Sequence, residues 1–123
     1  MICNDITDKS VNIRNDIINI LKELDFNTNT LGYSYLLDCI ITCIESKNKL
    51  VFKMKELYSN ISSMSRVNTD FANDKKIKWN IDKTIKTMIN NTGRKRMEKF
   101  FQNTNLPTSK MLINRVLEIY YQN

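Results

Sequence analysis

Two glycines and one proline in 123 residues leave this chain almost without chain-reversing residues. Tight β-turns draw heavily on Gly and Pro, so a sheet of many short strands would have too few corners. The sequence offers instead long uninterrupted stretches in which apolar residues return every three or four positions, the spacing of one helix face. The expectation is an all-α fold of five or six helices. Residues 1–9 read as a short N-terminal extension and 10–123 as one helical domain with a modest core.

The first helix is expected over 10–24, with Asp8 or Ser10 as cap and Ile13, Ile17, Ile20, Leu21 and Leu24 as its apolar stripe. A polar connection leads to a second helix over 31–45, burying Tyr35, Leu36, Cys39, Ile40, Cys43 and Ile44. After a break at 46–49, a third helix over 50–62 turns Leu50, Met54, Leu57, Tyr58 and Ile61 inward. Periodicity then dissolves, with Val67 and Phe71 as anchors, until Asp70 or Asn73 caps a fourth helix over 74–91. Asn90-Asn91-Thr92-Gly93 stops it. A short basic helix over 94–102 and a final helix over 108–121, entered through Leu106-Pro107, complete the chain.

The fourth helix carries the sharpest signal. At about 100° per residue, Ile77, Ile81, Thr84, Ile85 and Met88 gather on one stripe. The opposite face holds Lys75, Lys76, Trp79, Asp82, Lys83 and Lys86, with Asp82 and Lys86 spaced to pair at i,i+4. Trp79, the only tryptophan, lies about 160° from the centre of the stripe, so its indole is expected in solvent unless residues 63–73 fold over it. A cationic face with an outward aromatic suits a polyanion; it equally suits a solubilising surface whose Trp covers a loop. The residues alone leave both open.

Charge placement adds to the first reading. Residues 1–60 hold seven Lys or Arg against eight Asp or Glu, whereas residues 61–123 hold twelve against five. A basic half beside a near-neutral half is the footprint of a nucleic-acid-binding surface. No 18-residue apolar run and no signal-peptide pattern occurs, so no membrane partner and a cytoplasmic location are expected.

Several chemistries are disfavoured. The chain has no histidine, which removes the commonest general base and the usual partner of a Ser or Cys nucleophile. Gly32 and Gly93 are too few for a phosphate-cradling loop, and the acidic residues are scattered singly. Cys3, Cys39 and Cys43 form no disulfide framework. Cys39 and Cys43, at i,i+4 in an apolar helix, read as small core hydrophobes. A binding protein without metal or cofactor is expected, not an enzyme.

Three segments carry a family resemblance. Leu31-Gly32-Tyr33-Ser34-Tyr35-Leu36 follows an apolar-Gly-Tyr-x-Tyr-Leu pattern at a helix start; Leu57-Tyr58-Ser59-Asn60-Ile61 is similar to Leu-Tyr-Pro-Asp-Ile; Pro107-Thr108-Ser109 opens the last helix as Pro-Thr-Asn would. Their order and spacing resemble the C-terminal effector domains of the sporulation master regulator, stage zero sporulation protein A. The resemblance covers residues 10–121 and implies a helix-turn-helix whose first helix is 50–62 and whose recognition helix is 74–91. Such domains bind promoter DNA, often as tandem copies, and contact RNA polymerase. A recognition helix reads base edges with its N-terminal residues. On that placement Lys75, Lys76, Lys78, Trp79, Lys83 and Lys86 face DNA, and Arg94, Lys95 and Arg96 contact phosphates. A solvated basic helix start is the plainer reading of the last three.

The departures from the family pattern are specific. Lys76 stands where the family has Arg, keeping charge but losing bidentate guanine geometry. Lys78 replaces a Glu, and Trp79 and Asp82 each replace an Arg. The segment between the motif helices is longer, and with fewer than ten residues before the first expected helix no phospho-acceptor receiver domain is expected. The expected function is a small stand-alone transcriptional regulator binding double-stranded DNA, with a homodimer on DNA, RNA polymerase or another regulator as further partners. The alternatives are a protein–protein interaction module, or an accessory architectural DNA binder such as one used in recombination.

Overall fold

The structure, a computed structural model, describes residues 5–46, 53–64 and 74–122, and side chains for 12–46, 53–62 and 74–122. Six helices are present among them: α1 Asp5–Leu21, α2 Leu31–Glu45, α3 Met54–Met64, α4 Asp74–Thr92, α5 Arg94–Phe101 and α6 Ser109–Gln122. No strand occurs among the described residues, as expected for an all-α fold.

α2 is the hub, packing against α1, α3, α4 and α6, and its most extensive neighbour is α4. Its expected inward residues Leu36, Cys39, Ile40, Cys43 and Ile44 are all buried. Tyr35 is only partly so, and Tyr33 and Leu37 join the core on the flanks. A helix with neighbours on several sides buries more than one stripe. In α4 the expected set, Ile77, Ile81, Thr84, Ile85 and Met88, is buried in full, and Thr92 extends it by one turn.

Helix ends account for the differences from the sequence reading. α1 begins five residues before Ser10, so Asp8 and Ser10 lie inside the helix rather than capping it. It also stops at Leu21, where i→i+3 bonds take over: Glu23 N donates to Ile20 O (3.3 Å) and Leu24 N to Leu21 O (2.9 Å). Leu24 still reaches the core through that tighter turn. α3 starts at Met54, with the Lys53 carbonyl accepting from Glu56 and Leu57, and it runs on to Met64. Leu50, Val67, Phe71, Asp70, Asn73 and Cys3 lie outside the described residues or side chains.

α5 ends at Phe101, one residue before the expected end. Gln102 adopts the left-handed conformation (φ 55°, ψ 39°), and its N–H donates to Glu98 O at 2.7 Å. That cap is the usual device for closing a helix without glycine. Thr108, read as the first residue of the last helix, is its cap: Thr108 Oγ1 accepts from Met111 N at 3.2 Å.

The two described cysteines are buried core residues. Burial pushes the Cys39 thiol up to about 12, helped by neighbouring Cys43 and Asp38, and the Cys43 thiol up to about 11. Both therefore stay protonated at pH 8 and are shielded. In a Cys3→Ser background, a thiol reagent such as DTNB should leave the native protein unlabelled over minutes. It should label two thiols once the protein is unfolded; rapid native labelling would show one of these helices opening.

Candidate nucleic-acid interface

α4 is held at both ends and along its inner side. At its start, Ser59 Oγ of α3 donates to Asp74 Oδ2 at 2.7 Å, which places a carboxylate in the first turn, where the helix dipole favours it. At its end, the buried Thr92 Oγ1 accepts from Asp25 N at 2.8 Å, tying α4 to the α1–α2 connection. Gly93 follows with φ 87° and ψ 156°, a backbone region open essentially only to glycine, and α5 starts immediately beyond it.

Midway, α2 crosses α4 at very short range. Thr30 caps α2 by accepting from Tyr33 N at 3.2 Å, while its hydroxyl lies 3.1 Å from Asn27 O and 3.2 Å from Thr84 Oγ1. If Thr30 donates to Asn27 O, Thr84 supplies the proton to Thr30, and every bond is satisfied. Next to it, a Cβ on Gly32 would sit 2.1 Å from Asn80 O and 2.9 Å from Thr84 Cβ. Only a residue without a side chain fits this crossing. That gives a physical reason for the glycine in the Leu31–Leu36 motif.

This clamping fixes what α4 turns outward. Lys75, Lys76, Lys78, Trp79, Asp82, Lys83 and Lys86 are all exposed, and Trp79 is 60% accessible. Lys75 or Lys76, Trp79, Lys83 and Lys86 follow one another at three- or four-residue steps and so share a face. Lys83 Nζ lies 4.8 Å from the Trp79 ring centroid, a cation–π pair. Lys75 and Lys86 form no ion pair among the described residues. Because its ring has so much solvent contact, Trp79→Ala should change the unfolding free energy by less than about 1 kcal/mol in a urea titration. A loss of about 3–5 kcal/mol, the cost of truncating a buried Trp, would place the ring in the core.

The acidic partner differs from expectation. Asp82 pairs with Lys78 at 2.7 Å, not with Lys86. Helical Cα–Cβ bonds lean toward the N-terminus, which brings the short Asp82 side chain down onto Lys78. The hydrogen bond that Lys78 donates to the Asp82 carboxylate, and then the charge of that carboxylate, raise the Lys78 ammonium above its usual value. Lys78 therefore stands apart from Lys75 and Lys86, which form no ion pair among the described residues.

The three basic residues opening α5 are divided. Arg94 Nε pairs with Glu98 at 3.0 Å. Arg96 is turned to the α1–α2 connection, bonding both Asp25 oxygens (2.8 and 3.4 Å) and the Glu23 carbonyl (2.8 Å). Lys95 is exposed and forms no ion pair among the described residues. One structural arginine has no periodicity signal at all: Arg115 donates from Nε to the Phe100 carbonyl at 2.6 Å, closing the end of α5. Its partner is a backbone atom fifteen residues away, which no local pattern reveals.

Among the described residues no cluster of His, Cys, Asp and Glu could hold a metal ion, and no helix is long and apolar enough to cross a membrane. What remains is a rigid basic face on a helix packed directly behind α3. The family model described as sporulation initiation factor Spo0A C terminal matches residues 17–119, a span that includes part of α1 and all of α2 to α5 and most of α6. No curated protein and no solved structure matches. The chain thus belongs to the family of the Spo0A C terminal, the DNA-binding effector domain of sporulation regulators.

Proposed function

We propose that this chain is a transcriptional regulator that binds double-stranded DNA by placing α4 in the major groove. The observation that carries the reading is the outward face of α4, where Lys75, Lys76, Lys83 and Lys86 surround Trp79 and the one carboxylate, Asp82, is spent on Lys78. Family membership supports the direction: α3 packs against α4 in the order a helix-turn-helix requires. Lys95 is the α5 residue best placed to add a phosphate contact, since Arg94 and Arg96 already have partners in the fold. Tandem or paired binding and contact with RNA polymerase belong to the same proposal.

Fluorescence anisotropy with a labelled duplex tests it. Each phosphate neutralised by a lysine should contribute about −0.9 to the slope of log K against log salt, so four contacts give a slope near roughly −3.6 between about 50 and 200 mM. No binding at the low-salt end would overturn the reading and leave the face to a protein partner.

A further inference from the structure

Resting on the DNA-binding reading, we infer that Trp79 sets what α4 recognises, and that its target chemistry is the C5-methyl of thymine. The argument is an accounting of the first three turns of α4, the part of a recognition helix that meets base edges. Ile77 and Ile81 are in the core. Thr84 is buried and bonded to Thr30. Asp74 accepts from Ser59. Asn80 could in principle read adenine in bidentate fashion, but its Nδ2 donates back to the Lys76 carbonyl at 2.9 Å. Asp82 could accept from cytosine N4, but Lys78 occupies it at 2.7 Å.

Lys75, Lys83 and Trp79 remain. No arginine occurs on α4, so the bidentate fork that selects guanine is missing. A lysine ammonium is a point charge that takes any groove acceptor, guanine N7 and O6, adenine N7 or thymine O4, with little preference. The Trp79 indole is different. It is the large apolar surface of the outward face, and Lys83 sits 4.8 Å over its ring, which leaves the rest of the ring as the apolar contact area. In the major groove the one apolar feature that distinguishes base pairs is the thymine methyl. Trp79 thus discriminates by burying a methyl, not by hydrogen bonding, and the surrounding lysines hold the backbone.

Removing the methyl from the DNA tests this without touching the protein. The probes are an alternating dA–dT duplex and the same duplex with uracil at every thymine, which keeps all hydrogen-bonding groups. The full chain should bind the thymine duplex about fourfold more tightly per contacted methyl, the equivalent of roughly 0.8 kcal/mol for one buried methyl group. In Trp79→Ala the two duplexes should bind equally, and Trp79→Phe should keep part of the difference. Equal binding of both duplexes by the unaltered chain would overturn the inference, as would a methyl effect undiminished in Trp79→Ala. Failure to bind either duplex would instead overturn the DNA-binding reading beneath it.

Discussion

Gly32→Ala is expected to be among the most damaging single substitutions in this fold, despite adding one methyl group. The added Cβ would meet the Asn80 carbonyl oxygen at 2.1 Å and its carbon at 2.8 Å, both backbone atoms of α4 that no rotamer change can move. Relief requires α2 and α4 to separate by roughly 1 Å, which opens the core between them and stretches the Thr30–Thr84 contact. Overpacking typically costs about 1–3 kcal/mol, and a clash with rigid backbone belongs at the upper end. Alanine's better helix propensity returns at most about 1 kcal/mol, so the clash wins. A fall in melting temperature of roughly 10 °C should follow, measured by circular dichroism. An unchanged melting temperature would mean that the two helices are not in contact at this point.

The second large effect is on binding. Lys83→Ala combined with Lys86→Ala should flatten the salt slope by about 1.8, two contacts at 0.9 each, and weaken binding roughly sixtyfold near 0.1 M salt. Both side chains are exposed, so the fold should survive; losing the Lys83 cation–π pair with Trp79 costs about 0.5–1 kcal/mol at such a site. An unchanged slope in a folded double variant would remove α4's outer face from the DNA. Arg96→Ala makes a useful contrast, since Arg96 braces α5 against Asp25 and Glu23.

Periodicity made the inner stripe of α4 legible from sequence, because burial there follows directly from the 3.6-residue turn. The same reasoning placed Cys39 and Cys43 in the core and Trp79 in solvent. It failed where the deciding partner is distant or the end of a helix depends on a cap. Arg96 looked like one of three equivalent basic residues until the α1–α2 connection supplied Asp25 beside it. Arg115 and Thr92 gave no local sign that each serves a backbone atom of another segment. Asp82 had lysines at both i−4 and i+4, and sequence spacing alone could not choose between them. The glycine of the Leu31–Leu36 motif was visible as a pattern, but its cause, a helix crossing too close for a Cβ, exists only in three dimensions.

A helix that turns about 100° per residue writes two messages into one stretch of chain. On α4 the inward message is addressed to the core through Ile77, Ile81, Ile85 and Met88, and the outward one to whatever arrives from solvent. Because the letters do not overlap, a lineage can revise the outward text one substitution at a time without passing through an unfolded ancestor. The Gly32 crossing limits that freedom in a useful way, since it fixes the rotation of α4 about its own axis. Evolution can therefore change what this helix reads while the direction in which it reads stays the same.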